Sequence, residues 1–351
     1  MGKRRGVSTK GVSSERNRIL ALLVLLGGLA GLGLMSMVLG AYDIRPVDVF
    51  RTLATHLTPL GDPGGISKLQ ATIIWDLRFP RVLLDVTVGI ALASAGAAFQ
   101  GCFRNPLVEP YILGVSSGAA FGAALGILFP RFLLSIQSLA FFFSALAVSA
   151  AYALGRVRGQ TSVVTLILAG IIIGSVFSSL LGILKYTAHD AALREIVFWL
   201  LGGFYYATWR DIYLVSPVVI VCFLVMWVHS WKLNVLSMGD EEARALGVNP
   251  ERYKVLFILL ATLATAISVS SVGVIAWVGI MTPHATRMVV GPDHRYVLPF
   301  AAMLGGAYLV ICDTLARTLT SAEIPIGILS SLLGAPYLFY LLRTRGHSVL
   351  G

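Results

Sequence analysis

The feature that most constrains this chain is a series of long apolar segments, which recur along nearly its whole length between short polar stretches. Hydrophobic residues make up 57% of the 351 positions and charged residues only 13%, whereas soluble domains typically have about 45–50% apolar and about 25% charged residues. Because lipid cannot hydrogen-bond a peptide group, each apolar segment must satisfy its own backbone as a helix. The sequence therefore predicts an all-α, polytopic membrane protein with a single transmembrane domain over residues 1–351.

The apolar segments are long enough to be counted as crossings. A helix needs about 20 apolar residues to span a bilayer, and ten segments meet or approach that length. They are 19–41, 82–101, 111–130, 132–155, 162–184, 212–230, 253–274, 276–290, 296–316 and 325–342. Segments 111–130 and 276–290 fit the rule least well. The first run is longer than the apolar core of a signal peptide, about 7–15 residues, so it is predicted to be an uncleaved helix.

The distribution of basic residues predicts the orientation of these helices. Lysine and arginine are enriched in cytoplasmic loops, so the basic residues 1–18 are predicted to be cytoplasmic, and an even number of crossings places the C-terminus there too. The connection 232–252 is then cytoplasmic, whereas 42–80 and 185–211 are extracytoplasmic. This arrangement puts 17 of the 27 basic residues inside and 10 outside. The positive-inside rule does not explain why the ten outer residues are there.

The net charge of +10 does not indicate a nucleic-acid-binding protein, because the basic residues are scattered between apolar runs and not clustered. The three cysteines, Cys102, Cys222 and Cys312, stand singly in or beside apolar segments without a CxxC spacing. They are predicted to be small buried hydrophobic residues.

The stretch from Leu77 to Ala119 is unusual among these segments because it contains three arginines, two acids, three prolines and five glycines. A passive membrane anchor would avoid such residues, because lipid neither solvates a charge nor hydrogen-bonds an interrupted backbone. A translocation pathway, a gate or a docking surface would keep them. The composition of this stretch therefore indicates a transport protein.

The cytoplasmic stretch 238–254 differs from the other connections. Acidic residues near its start favour the positive end of a helix dipole, an apolar edge follows, and a glycine permits a left-handed helix end. This pattern predicts a short amphipathic helix of about the length that inserts into a cleft of another protein. A helix that lies on the surface without a partner is the alternative. The residues that define the pattern are Asp240, Glu242, Ala243, Leu246 and Gly247.

Several motifs, taken together, resemble a known family. They are LRFPR (77–81), the run from Gly89 to Gln100, NPLVEPYILGVSSGA (105–119), FWLLGG (198–203), GDEEARALGV (239–248), WVGIMTPHATRMVVGPDHRYVLP (277–299), CDTLAR (312–317) and EIPIGILSSLLGAPYLFYLL (323–342). In this order and spacing they resemble the FecCD-type permeases, the membrane subunits of type II ABC importers for iron-siderophores, haem and vitamin B12.

The resemblance implies a homodimer of ten-helix subunits around a central pathway in the cell membrane, with both termini cytoplasmic. Two ABC ATPase subunits would bind below it and an extracytoplasmic substrate-binding protein above. The chain would then be no enzyme and hold no cofactor, because the partner ATPase would bind ATP and Mg; the sequence itself has no GxxxxGK[ST] phosphate loop. An iron-siderophore is the first substrate that the resemblance suggests, followed by haem, cobalamin and an oxyanion such as molybdate.

In this family, arginines at the outer ends of two crossings receive glutamates from the two lobes of the binding protein. The matching residues here are Arg78, Arg81 and Arg317. The alternative is pairing within the chain, because Arg81 lies four residues from Asp85 and Arg317 four from Asp313, both good helical spacings. Asp85 stands where the family usually has an apolar residue. A structural pair with Arg81 is the favoured interpretation, and contact with a cationic substrate is the other.

The resemblance also places two cytoplasmic gates, one at Asn105 and Leu107 and one at Thr161 and Ser162. Small polar residues and a leucine near a dimer axis could close on one another without burying a charge, and ordinary helix capping is the alternative. For the helix of 239–248 the resemblance implies coupling to the ATPase, through the five residues named above.

No metal site is predicted. His284 follows Pro283 and matches the Pro-His sequence of the family, but the chain contains neither HxxxH nor HxH. A hydrogen-bonded helix break at this point is therefore favoured over a metal ligand.

Two other classes of function are open at this point. An ion- or proton-coupled secondary transporter would need buried carboxylates along its pathway. Asp85 and Asp313 are the only clear ones, and each has an arginine four residues away. A membrane-embedded enzyme would need a catalytic constellation, but the GxSxG pattern around Ser116 lies in an apolar helical stretch without an evident base.

Overall fold

The structure is a computed structural model that describes residues 15–58, 66–131, 134–157, 160–320 and 322–349. Almost all of the described chain is helical. The helices are α1 (Glu15–Val38), α2 (Pro46–Leu57), α3 (Lys68–Thr72), α4 (Phe79–Phe103), α5 (Val115–Leu128), α6 (Ile136–Gly155), α7 (Val163–Thr187), α8 (Asp190–Leu201), α9 (Trp209–Val228), α10 (Ser230–Met238), α11 (Asp240–Ala245), α12 (Pro250–Val272), α13 (Val278–Val290), α14 (His294–Thr318) and α15 (Ile326–Val349). Two strands of two residues each, Arg156–Val157 and Gln160–Thr161, form an antiparallel pair.

Seven of the described helices are long and apolar enough to cross a membrane, which confirms the prediction of a helical, polytopic membrane protein. Shorter helices occupy the remaining three predicted segments: α5, α13 and the apolar part of α15. α5 is shorter than the predicted segment 111–130 because Gly114, directly before it, has a left-handed conformation with φ 82°. A left-handed residue does not continue a right-handed helix.

Residues Lys68–Phe103 form one continuous helical stretch of 36 residues, in which a π-helical segment, Ile73–Arg78, joins α3 to α4. At 1.5 Å per residue its length is about 54 Å, more than the hydrocarbon core of a bilayer, about 30 Å. Aromatic rings support its outer part. Trp75 stacks on His56 with 4.2 Å between ring centroids, and Trp209 Nε1 donates to the Trp75 carbonyl oxygen (3.0 Å). The stretch therefore extends beyond the hydrocarbon region as a supported helix.

α4 is the central helix of the fold, and α9, α12, α13 and α14 pack around it. Within the apolar part of its helical stretch, 83% of the residues are buried. The corresponding share is 17% for α1 and 22% for α7. Glycines allow the closest contacts. A Cβ atom added to Gly89 would collide with the backbone of Gly305, and one added to Gly96 would collide with the carbonyl group of Gly279. Membrane helices approach each other this closely only at small residues.

The short helices α10 and α11 are part of the packed structure at the end of the bundle that is predicted to be cytoplasmic. Leu233 of α10 and Ala243 of α11 are buried in one apolar cluster with Phe99 of α4 and Phe257 of α12. The three cysteines are also buried, and none is in a disulfide, which confirms their predicted burial. The connection that the sequence predicts to be cytoplasmic is therefore continuous with the core of the membrane domain.

We expect Gly89→Leu to lower the free energy of unfolding by about 3 kcal/mol, because the new side chain would meet the backbone of Gly305 and force α4 and α14 apart. Gly27→Leu is the matched control, since nothing lies within 4 Å of a Cβ atom added there. The measurement is thermal unfolding of the purified variants in detergent micelles. Equal melting temperatures for the two variants would contradict the backbone contact between α4 and α14.

Candidate functional site

The arginines predicted to receive a binding protein belong to an outer arginine cluster of Arg78, Arg81, Asp313, Arg317 and Glu323. Arg81, on α4, reaches across to Asp313 on α14 (Nη2 to Oδ1, 2.8 Å) and also bonds Glu323 before α15 (Nη2 to Oε2, 2.8 Å). Arg317 bonds Asp313 from its own helix (Nε to Oδ2, 2.9 Å). The fully buried carboxylate of Asp313 therefore holds two guanidinium groups at once.

Polar groups at the end of α1 and just beyond it complete this cluster. Arg78 donates to the carbonyl oxygens of Met37 and Tyr42, each at 2.7 Å. Arg317 donates to the hydroxyl oxygen of Ser36 (Nη2 to Oγ, 2.7 Å). These bonds join α1 to the outer ends of α4 and α14, so all three arginines have partners within the chain.

The predicted i,i+4 pair of Asp313 with Arg317 is present, but the predicted pair of Asp85 with Arg81 is wrong. Arg81 points to Asp313 and Glu323 because two carboxylates on other segments surround its guanidinium more fully than one on its own helix. Asp85 is fully buried, and neither of its oxygens has a hydrogen-bond partner among the residues that the structure describes. The docking role of the three arginines stays a prediction.

The two predicted gates differ in their local bonding. Asn105 Oδ1 accepts the backbone N–H of Leu107 (2.9 Å), a local side-chain-to-backbone bond, and the Leu107 side chain is exposed. Ser162 directly precedes α7, but its side chain makes no capping bond. The side chain of Thr161 lies outside the described residues. The gating role of these four residues stays a prediction.

A hydrogen-bonded connection beside the first gate was missed by sequence reasoning. Arg287 Nη1 of α13 donates to Gln100 Oε1 (2.6 Å), and Gln100 Nε2 donates to the carbonyl oxygens of Gly279 (3.1 Å) and Val108 (3.4 Å). One amide group thus joins α4, α13 and the loop 104–114. Gln100 and Arg287 both stand in motifs that carry the family resemblance, which is the signal that could have found them.

The same connection explains why the helix break predicted at Pro283 and His284 is wrong: α13 continues through both residues. Proline lacks the N–H that would bond the carbonyl oxygen of Gly279, four residues earlier. Gln100 Nε2 donates to that oxygen instead, so α4 satisfies the group that proline leaves without a helical donor. Within the described residues, no three histidine, cysteine or acidic side chains lie close enough together to hold a metal ion.

A second connection ties the loop 104–114 to the residues just before α13. Tyr111 Oη donates to the carbonyl oxygen of Ile275 (2.7 Å). Burial raises the pKa of the Glu109 carboxyl, and the nearby backbone N–H of Trp277 opposes that shift. Trp277 has φ 76°, which is uncommon for a bulky residue. The hydrogen bond of Tyr111 therefore holds the loop that contains the first gate against the start of α13.

The predicted cytoplasmic helix is present as α11, but one residue predicted on its apolar edge is exposed. Ala243 is fully buried, whereas Leu246, predicted on the same edge, is 53% exposed. The reason is that α11 ends at Ala245. Leu246 and Gly247 then leave the helical phase, and Gly247 takes a left-handed conformation with φ 73°.

One acidic residue of α11 is bonded to another helix, and another is exposed to solvent. Asp240 Oδ2 accepts a hydrogen bond from Lys254 Nζ of α12 (2.6 Å), whereas Glu242 is exposed. α11 is therefore anchored to the membrane domain by Asp240 and Ala243. Glu242, and Leu246 just beyond the helix, are exposed to solvent.

We expect Asp313→Asn to lower the free energy of unfolding by about 3–5 kcal/mol, because it removes the buried carboxylate that Arg81 and Arg317 share. Glu323→Gln is the matched control, since its carboxylate is 38% exposed and an exposed ion pair contributes about 0–1 kcal/mol. Thermal unfolding in micelles compares the two variants. If Asp313→Asn were as stable as Glu323→Gln, the shared carboxylate would not be what stabilises the outer arginine cluster.

Comparison with known proteins gives consistent matches over most of the chain. Residues 23–344 match the model of the FecCD transport family. The chain is 38% identical over 317 residues to the cobalamin import system permease protein BtuC of Halobacterium salinarum, which covers 86% of this chain and 85% of that protein. It is 36% identical over 333 residues to the molybdate import system permease protein MolB of Haemophilus influenzae, with coverages of 93% and 96%.

The chain is also similar to a third curated relative and to a solved structure. The chain is 41% identical over 281 residues to the hemin transport system permease protein HmuU of Yersinia pestis, which covers 78% of this chain and 84% of that protein. Among solved structures, a metal-chelate type ABC transporter in an inward-facing conformation has a TM-score of 0.82 at 34% identity, and the alignment covers 93% of this chain and 99% of that one.

Proposed function

Because this chain belongs to the FecCD transport family and is an ABC importer permease, we propose that it carries an iron-siderophore or a related metal chelate, haem or cobalamin, across the cell membrane. The family match over residues 23–344 carries this proposal. Relatives are named for cobalamin, hemin and molybdate, so an oxyanion such as molybdate is the alternative substrate. The secondary-transporter and membrane-enzyme alternatives have no comparable support.

In the proposed assembly, two copies of this chain form a homodimer of ten-helix subunits with cytoplasmic termini. Two ABC ATPase subunits, which bind ATP and Mg, lie below it, and a substrate-binding protein lies above. The exposed face of α7 supports the dimer. It carries Ile171, Ile172 and Val176 beside Ser175 and Ser179, and an apolar face with small polar residues suits helix contacts in a membrane.

For docking, the outer arginine cluster offers one contact that can be exchanged. Arg81 is shared between the buried Asp313 and the partly exposed Glu323, so a carboxylate of the binding protein can replace Glu323 while Asp313 stays in place. Arg78 is held by carbonyl oxygens and makes no ion pair among the described residues. Its positive charge can therefore attract an acidic partner, and Arg317 keeps Asp313 in position during the exchange.

Transport is proposed to proceed by alternating access, without chemistry on the substrate. ATP binding and hydrolysis in the partner act on α11 through Glu242 and Leu246, and each nucleotide state favours a different conformation of the permease. The gates at 105–107 and 161–162 then open or close the cytoplasmic exit. The bonds of Gln100 to α13 and to Val108 support a mechanical link between α13 and the first gate.

The proposal is tested by purifying the tagged chain from its native membranes with whatever remains bound, and reconstituting it in liposomes. We expect an ABC ATPase in near-equal amount and a substrate-binding protein whose bound ligand identifies the substrate. Uptake of that ligand should require ATP. A chain that purifies alone and transports a solute without ATP would overturn the proposal.

We expect Glu323→Gln to tighten the binding of that copurified binding protein by roughly fivefold, because it removes the internal competitor for Arg81 and an exposed pair is worth up to about 1 kcal/mol. Arg81→Gln should weaken binding. Glu195→Gln, at an exposed carboxylate on α8 outside the cluster, is the matched control. Biolayer interferometry on the purified permease measures the affinities. Unchanged or weaker binding by Glu323→Gln would contradict an exchange at Arg81.

Leu246→Glu is expected to reduce ATP-driven uptake by about tenfold or more without changing the melting temperature, because this exposed side chain would lie at the centre of the ATPase contact. Ser237→Glu, at an exposed position on α10, is the control. Ala243→Glu should instead lower the melting temperature, because it places a charge in the core. Uptake assays and thermal unfolding separate the two effects, and normal uptake by Leu246→Glu would count against coupling through α11.

A further inference from the structure

A groove of about 580 Å³ opens between α6 and α9, and α12, which packs against both helices, forms its floor. We call it the outer groove. Its wall is polar at one end, where Ser138, Arg210 and Asp211 line it, and apolar at the other, where Phe141, Val218 and Ile267 line it. None of these residues takes part in the transport function proposed above.

The polar end of the outer groove lies at the helix ends and the apolar end lies deeper. Arg210 and Asp211 stand in the first turn of α9, and Val218 lies about 12 Å further along the helix at 1.5 Å per residue. On α6, Ser138 is in the first turn and Phe141 in the second. The groove therefore runs from the membrane interface into the hydrocarbon region, polar at its top and apolar below, which is the polarity of a phospholipid molecule.

The apolar end is continuous with an exposed apolar surface on two membrane-crossing helices. On α12, Leu259 and Leu263 precede Ile267 at intervals of four residues, and both are exposed; on α9, Leu214 and Val221 are exposed as well. Exposed large apolar side chains of this kind, on helices that cross a bilayer, are free to contact acyl chains where no second copy of the chain covers them. An acyl chain can therefore enter the outer groove sideways from the bilayer without passing a polar group.

Two opposite charges lie side by side at the top of the outer groove. Arg210 is exposed and forms none of the ion pairs among the described residues. Asp211 Oδ2 caps α9 by accepting from Thr208 (N–H at 3.0 Å, Oγ1 at 2.6 Å), and Oδ1 takes part in no hydrogen bond within the described chain. Arg210 is also one of the ten basic residues on the predicted outer side, for which the positive-inside rule gives no reason.

We propose that the outer groove binds one phospholipid with a phosphoethanolamine head group. The phosphate lies at Arg210, the ammonium group at Asp211, and one acyl chain along Phe141, Val218 and Ile267. A guanidinium next to a carboxylate matches a zwitterionic head group better than an anionic one, because each charge then has an opposite partner. The bound lipid fixes the spacing of α6 and α9 on α12, and it does so whatever substrate the permease carries.

The experiment is native mass spectrometry of the purified full chain, delipidated in detergent and titrated with palmitoyl-oleoyl phosphatidylethanolamine. We expect one molecule to bind to the wild type and about tenfold weaker binding to Arg210→Gln, which loses a charge-assisted contact. Asp211→Asn can still cap α9, but it should lose the preference for this lipid over the matching phosphatidylglycerol. Arg194→Gln, at an exposed arginine on α8 outside the groove, is the control and should bind as the wild type does.

Equal lipid affinity in Arg210→Gln and the wild type would overturn the proposal. Val218→Trp provides a second test, because it fills the apolar end of the groove and leaves the charged end intact. It should abolish lipid binding while the chain keeps its melting temperature and its oligomeric state. If Val218→Trp disrupted the oligomer and left lipid binding unchanged, the groove would belong to a second copy of the chain and the proposal would fail.

Discussion

The backbone contact of α4 with α14 at Gly89 and Gly305 is the constraint on which most of the other features depend. It brings the two helices so close that their backbones are in contact. From this contact Arg81 and Asp313 each lie eight residues toward the same end, about 12 Å away, and there they meet in the ion pair that organises the outer arginine cluster. A wider spacing would leave the two buried charges apart.

α4 also connects the outer arginine cluster to the inner loop, because Arg81 and Gln100 lie on the same helix about 28 Å apart. Gln100 completes the hydrogen bonding of α13 next to Pro283 and bonds Val108 in the loop that carries the first gate. Because glycine contacts on two sides leave α4 little freedom to bend, we expect it to move as one body. A change at the outer cluster would then reach the inner loop through α4 itself.

Much of the fold could be predicted because apolar segments of about 20 residues leave a chain few options in lipid. The shortening of α5 could not, since it depends on the conformation of one residue, Gly114. The partner of Arg81 was also beyond sequence reasoning, because 232 positions separate it from Asp313 and only the packing brings them together. Asp85 lies within electrostatic range of that pair, but Arg81 forms its ion pairs with Asp313 and Glu323 instead. The absence of an Asp85–Arg81 pair means that this pair cannot be used to argue against an ion-coupled transporter. It is the family match that speaks against that class.

The helical stretch Lys68–Phe103 has a mechanical consequence that follows from where it is held. Lys68 lies 21 residues, or about 32 Å, from the contact at Gly89, and Phe103 lies about 21 Å from it on the other side. A tilt of about 5° around Gly89 would shift the outer tip by about 3 Å and the inner end by about 2 Å in the opposite direction. The stretch is thus a lever that pivots inside the membrane and has its longer arm on the predicted extracytoplasmic side. A force applied at the end of that arm therefore acts on the inner end as a larger force over a shorter distance.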